Sequence, residues 1–400
     1  VFSGEVWVED NKISYVGKYK EHDCLFDREI DVQKNLIMPG FINAHTHSGM
    51  TFLRSIADDM PLQQWLNEKV FPIETKLSEE DIYYFSKLAI LEYLTSGITT
   101  NFDMYLNPEA IVKASLDMKY RTVLCGAVND FCLSVEDVER CFNEYNQENS
   151  LISYVLGFSH EYTNSKEKIQ QVAALSHKYK APVYTHLSET EYEVEKTGRS
   201  PGEYLCDLGV YDYGGGAFHC VHMSEHDLDL FKEKHLNIVT NPASNLKLAS
   251  GIAPIQAMLQ RKINICLGTD GPASNNCLDM FREMFLVTGL AKYKKCDASA
   301  VDAYEVLKMA TVNGAKALNL NCGVLEAGKL ADLIILDLHQ PNMQPMNNIA
   351  KNIVYSGSKS NVKCTMVNGE ILYEDGHFYV GFEIEALYDE IQKRVERLMR

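Results

Sequence analysis

The sequence predicts an α/β fold, a (β/α)8 TIM barrel with a small β-sandwich domain built from both chain ends. Three observations carry this reading. From Leu36 onward, short apolar strands alternate with longer amphipathic stretches, the pattern of β/α units on a parallel sheet. The alternation repeats eight times, which suits closure into a barrel. Short alternating strands with Gly or Asn-Gly turns occupy the two ends instead. A length of 400 residues accommodates either two domains or one large barrel with an added module.

Taken in order, GEVWVED alternates, DNK turns and KISYVGKY alternates again, which makes a small sheet rather than a barrel start. The eight barrel strands are then LIMPGFINAH (36–45), ITTNFDMY (98–105), RTVLCGAV (121–128), ISYVLGFS (152–159), APVYTHLS (181–188), GAFHCVHM (216–223), NIVTN (237–241) and INICLGTD (263–270). Between the first two, Ser78 N-caps a helix to Thr95 whose buried stripe is Ile82, Phe85, Leu88, Leu91 and Tyr93. Gly214-Gly215-Gly216 reads as a loop before the sixth strand. Past residue 319, GVLEAGKLADLIILDL, NIVYSG and KCTMVNGEILYEDG restore short strands. The expected division is a discontinuous β-sandwich domain of residues 1–38 and 321–382, a barrel of residues 39–320, and a solvated helix at 383–400 marked by mixed charges at helical spacing.

Hydrophobic residues at 46% and charged residues at 23% suit a folded globular chain. A net charge of −17 argues against nucleic acid or an anionic membrane surface and favours a small-molecule substrate. Eleven scattered cysteines, an odd number without a C-x-x-C pair, read as reduced thiols of a cytoplasmic protein. No apolar run approaches the roughly 18 residues of a membrane span. The chain opens at Val1 rather than Met, so further residues are expected before it, in the β module.

The sharpest chemical feature is His45-x-His47 at the end of the first barrel strand, where residues i and i+2 project to one face. Alone, such a pair is more often a hydrogen-bonded rim than a ligand set. Its company strengthens it: His186 ends the fifth strand, His219 lies in the sixth and Asp270 ends the eighth, all at the face where barrel active sites sit. Imidazole nitrogen with carboxylate oxygen suits a borderline divalent ion, and an open position makes the site catalytic. Zinc is expected, with ferrous iron or manganese as alternatives. The fourth strand, ISYVLGFS, holds no lysine to bridge a second ion, so one metal is inferred. Glu189, three residues past His186, can serve as general acid or base, although alone it would read as a loop carboxylate or helix cap. His222 falls at an odd offset from His219 and is taken as structural. Phosphate-loop, dinucleotide and serine-elbow motifs do not occur.

Together PGFINAHTHSGMTFLR, VYTHLSET, FHCVHMSE, NPASNLKLASGIAPI and LGTDGPASNN resemble the amidohydrolase superfamily, and within it the aminohydrolases related to 5′-methylthioadenosine/S-adenosylhomocysteine deaminase. The resemblance runs in order over nearly the whole chain and includes the late GKLADLIILDL segment. It implies that His45, His47, His186 and Asp270 bind the metal, while Glu189 and His219 act on substrate and water. It further implies hydrolytic deamination of an adenine-type nucleoside: a metal-activated hydroxide attacks the amine-bearing carbon, Asp270 takes the proton of the water, Glu189 protonates the ring nitrogen and His219 orients the nucleophile. PLQQWLNEKVFPIE resembles the family's capping loop, which implies that Trp65 packs on substrate and Glu74 bonds the ribose hydroxyls; by themselves they would read as an apolar anchor and a solvated charge. His160 matches a substrate-contacting histidine. Relatives are commonly dimers or tetramers, so a homo-oligomer is expected.

The chain departs from the family at the far end of the substrate. Members that take S-adenosylhomocysteine use arginines near the end of the third strand and in its following loop, where this chain has Cys125 and Gly126 and then an acidic stretch, with Arg140 inside the following helix. A neutral 5′ group, as in 5′-methylthioadenosine, 5′-deoxyadenosine or adenosine, is therefore favoured. The alternatives are an aminohydrolase of guanine, a pterin, cytosine or an s-triazine, and a barrel retained for binding without catalysis.

Overall fold

A computed structural model describes residues 1–23, 25–56, 58–130, 133–148 and 150–400, with the backbone alone for Leu62, Gln63 and Thr197. The chain opens with a hairpin of β1 (Glu5–Glu9) and β2 (Lys12–Gly17), in which Trp7 faces Tyr15. Next, β3 (Leu36–Pro39) pairs antiparallel with a strand from the far end of the chain. Eight parallel strands follow: β4 (Phe41–Thr46), β5 (Ile98–Asp103), β6 (Arg121–Cys125), β7 (Ile152–Gly157), β8 (Val183–Leu187), β9 (Gly215–His219), β10 (Asn237–Thr240) and β11 (Asn264–Leu267). They hydrogen-bond in sequence order, as a β/α barrel requires. Gly215 opens β9 rather than standing in the loop before it, pairing with Val183 of β8, and glycine is needed there since a Cβ would lie 2.0 Å from the Val183 carbonyl oxygen.

The last seam, between β4 and β11, is stitched largely by a side chain. Asn43 accepts the Thr269 amide N–H at 2.8 Å and donates to the Thr269 hydroxyl at 2.7 Å, while the Asp270 amide donates to the His45 carbonyl at 3.0 Å. The barrel interior is filled by Ile42, Phe102, Val123, Tyr184, Phe218 and Cys266, a packed core rather than a pore.

The segment expected as one strand at 36–45 is two strands of different sheets. The Gly40 amide still donates to Asp332 of the small sheet, whereas the Phe41 amide donates to Gly97 of the barrel. Glycine is required at this pivot, since a Cβ would meet the Thr99 side chain at 2.2 Å. The small sheet runs β15-β14-β13-β12-β3, with β12 (Leu333–Leu336), β13 (Val362–Val367), β14 (Glu370–Glu374) and β15 (His377–Phe378). Arg121, at the start of β6, ties the barrel to it through Asp332 at 2.7 and 3.2 Å.

Five helices bear on the site or on the barrel that supports it: α1 (Glu79–Thr95), α2 (Glu191–Thr197), α3 (Pro242–Lys247), α4 (Met280–Lys295) and α5 (Ile384–Leu398). Ser78 and Asp81 form a reciprocal capping box at the start of α1, and Ile82, Phe85, Leu91 and Tyr93 are buried, with Leu88 half-buried. Helix α5 departs from the expectation of a solvated tail. Leu387, Ile391, Arg394 and Leu398 are buried, and Arg394 and Arg397 both pair with Asp81, which is fully buried. Nine cysteines are free thiols, while Cys24 and Cys132 lie outside the described residues. Among the described residues no helix is long and apolar enough to cross a membrane.

Candidate active site

The C-terminal ends of the barrel strands converge on one cleft. His45, near the end of β4, is fully buried and stacks on Phe218 with ring centroids 3.8 Å apart. Neither of its ring nitrogens has a hydrogen-bond partner, and Nε2 lies 3.6 Å from Asp270 Oδ1. An orphaned buried imidazole is costly unless something else satisfies it. His47, one residue past β4, donates Nδ1–H to the Met104 carbonyl, which leaves Nε2 3.2 Å from Asp270 Oδ1. His186, in β8, donates Nδ1–H to the Ser159 carbonyl at 2.8 Å and likewise keeps Nε2 free. Carbonyl partners of this kind fix the tautomer that a metal needs.

One ring nitrogen from each of His45, His47 and His186 lies within 4.8 Å of the others, and the donor atoms of His45, His219 and Asp270 do the same. Burial holds His45 and His186 well below the usual imidazole range, so both stay neutral. Burial opposes the Asp270 charge, but the neighbouring His47 more than offsets it and keeps this carboxyl ionised. Three imidazoles and a carboxylate, with two orphaned nitrogens among them, fit a single divalent metal ion.

Around this set stand groups that sequence reasoning gave no role. Ser244, in α3, and Ser274 donate their hydroxyls to Asp270 Oδ2 at 2.6 and 2.8 Å, leaving Oδ1 towards the histidines. His219, the last residue of β9, donates Nδ1–H to Asn245 Oδ1 at 2.7 Å. Glu283 of α4 accepts from Ala243 N–H at 3.0 Å and Asn275 Nδ2 at 2.8 Å, bracing both loops that carry these serines. The only signal for them was position, directly after β10 and β11, where barrel sites are built. His219 and Asp270 sit at φ 67° and 59°, strained for residues with side chains, as groups at functional sites often are.

Glu189 is buried beside the cleft, its Oε1 3.8 Å from His219 Nδ1 and 3.4 Å from the Ser250 hydroxyl. Burial raises its carboxyl above the ordinary range. His160 stacks on His186 at 4.3 Å and pairs its Nδ1 with Ser159 Oγ at 2.8 Å; burial lowers it to about 3, so it is neutral. Across the cleft, the irregular helical segment spanning Leu62–Trp65, Leu66–Val70 and Phe71–Glu74 brings Trp65 and Glu74 to the lining. The Tyr105 hydroxyl donates to Glu74 Oε1 at 2.6 Å. Glu74 is thus half-buried in the cleft rather than solvated. Arg140 stays outside the lining, paired with Glu109 and Glu144, and His222 donates to the Ser250 carbonyl at 2.7 Å.

A model of the amidohydrolase family matches residues 36–372. The chain is similar to the 5-methylthioadenosine/S-adenosylhomocysteine deaminase of Thermoanaerobacter pseudethanolicus, 39% identical over 99% of this chain and 94% of that protein. It is also similar to the 5′-deoxyadenosine deaminase of Methanocaldococcus jannaschii, 38% identical over 98% of this chain and 96% of that one. Among solved structures, an adenosine deaminase from Xanthomonas campestris with bound zinc superposes with a TM-score of 0.86 at 30% identity, covering 91% of this chain and 86% of that one.

Proposed function

Because the chain belongs to the amidohydrolase family, we propose that it hydrolyses the amino group of an adenine-type nucleoside, releasing ammonia and the inosine analogue. One observation carries the reading: a metal-competent set of three histidines and Asp270 shares a cleft with a buried proton donor, Glu189, and a potential sugar partner, Glu74. Relatives 38–39% identical over almost their full length are named as deaminases of such nucleosides, which supports it.

His45, His47, His186 and Asp270 would hold the ion, for which we propose zinc, and it would supply the Lewis acidity that makes water nucleophilic near neutral pH. Asp270 is the proton acceptor, its Oδ2 held by the two serines so that Oδ1 faces the site. Glu189, whose protonated form burial favours, donates a proton to the ring nitrogen next to the reacting carbon. His219, its Nδ1–H given to Asn245, keeps Nε2 to orient the attacking water. Trp65 covers the base, His160 contacts the substrate, and ionised Glu74 accepts the vicinal ribose hydroxyls.

The cleft lining draws on Met50, Leu66, Met104, Leu106, Ala127 and Leu248 and, among the described residues, on no lysine or arginine. An apolar or neutral 5′ group suits this lining better than an amino-acid carboxylate. The test is ammonia release and the adenosine-to-inosine absorbance change with 5′-methylthioadenosine, 5′-deoxyadenosine, adenosine, S-adenosylhomocysteine, adenine and guanine. Turnover of the first three, abolished by Asp270→Asn, is expected; inertness towards every nucleoside would overturn the reading.

A further inference from the structure

Between His186 and Glu189 the chain reverses at Ser188, a residue with a side chain held at φ 49°. Such a conformation is strained for a residue with a side chain and persists only where its surroundings over-determine it. On one side, the Ser188 carbonyl accepts the Val221 and His222 amides at 3.0 and 2.8 Å. On the other stands Glu193, the third residue of α2, fully buried. Its Oε1 accepts the Thr190 amide at 3.0 Å and the Thr190 hydroxyl at 3.1 Å, the reciprocal cap of a helix start. Its Oε2 accepts the amide of Glu189 itself at 3.0 Å.

A cap requires only the first of these grips, and at an exposed helix start water would meet the second amide. Here both oxygens of a buried carboxyl hold the two consecutive amides that define where Glu189 begins. Among the described residues, the Glu189 side chain has a hydroxyl and an imidazole as polar neighbours, at 3.4 Å to Ser250 and 3.8 Å to His219. Its direction is therefore set from the backbone. We propose that Glu193 is a positioning residue for deamination, clamping the Glu189–Thr190 turn so that the Glu189 carboxyl is aimed across the cleft at the substrate ring.

The inference rests on Glu189 as the proton donor proposed above, and it is tested by a kinetic cycle on the metal-loaded protein with 5′-methylthioadenosine. The proteins compared are wild type, Glu193→Ala, Glu189→Gln and the double variant. Glu193→Ala should lower kcat about 10- to 100-fold, with KM within about twofold, since misplacing an acid–base group removes stabilisation of the transition state rather than binding. Metal content should hold and Tm should fall by a few degrees at most, as loss of a helix cap entails, while hydrogen exchange at the Glu189 amide should quicken. In the Glu189→Gln background the same change should cost less than about twofold, because it acts through a group already removed. Glu193→Gln, which keeps one acceptor oxygen, should fall between and serves as the test if Glu193→Ala does not fold. Equal losses in both backgrounds, or wild-type kcat in Glu193→Gln, would overturn the positioning role while wild-type turnover stands. A wild type inert towards all nucleosides overturns the deaminase reading, and this inference with it.

Discussion

Three carboxyl groups in one cleft are set to different tasks by what each side chain touches. Asp270 has His47 beside one oxygen and serine hydroxyls on the other, and His47 keeps it ionised; burial raises the Glu189 carboxyl instead. Glu74 lies between these cases, since burial pushes it up to about 7 even against the Tyr105 hydroxyl that it accepts. As the proposed acceptor of the ribose diol, Glu74 would have to be ionised, so falling pH should raise KM for 5′-methylthioadenosine as it passes through about 7. Glu74→Gln should raise KM at high pH and flatten this limb; a wild-type KM independent of pH between 6 and 8.5 would count against the assignment. The convergence of the His-x-His pair, His186, His219 and Asp270 was legible in the chain because strand-end position is a local property. Ser244, Ser274 and Asn245 were not, because a hydroxyl or amide acquires its role only when two strand ends meet, and nothing in its own neighbourhood marks it.

At the scale of elements, α5 shows how a charge pattern can mislead. IEALYDEIQKRVERL carries charge all round, which reads as a solvated helix. Its apolar residues Leu387, Ile391 and Leu398 nevertheless share one face with Arg394, and that face meets α1, where Asp81 lies buried at the capped start. Asp81 therefore caps one helix and anchors another. Arg394→Ala should destabilise the protein by about 2–4 kcal/mol, somewhat under the 3–5 kcal/mol of a fully orphaned charge because Arg397 remains. Denaturant unfolding measures this, and kcat per folded molecule should not change; a loss under about 0.5 kcal/mol would mean that water already serves Asp81. The division of residues 36–45 was illegible for a different reason. Both halves are apolar strand, and only the requirement for Gly40 beside Thr99 marks the change of sheet.

For the molecule as a whole, the four candidate ligands come from β4, β8 and the turn after β11, so an ion would join the first barrel strand to the last across the seam that Asn43 stitches. Binding to the folded state alone adds RT ln(1 + [L]/Kd), about 4 kcal/mol at a thousandfold excess over Kd. Chelation should accordingly lower Tm by several degrees in calorimetry, and restoring zinc should recover it; an unchanged Tm would argue against a shared ion at the seam. The same seam imposes an order on biosynthesis. His45 and His47 leave the ribosome long before Asp270, and until the final strand docks beside the first, the growing chain exposes imidazoles without their carboxylate. Three imidazoles without that carboxylate would hold an ion less firmly, so the proposed site would reach full strength only when the barrel closes.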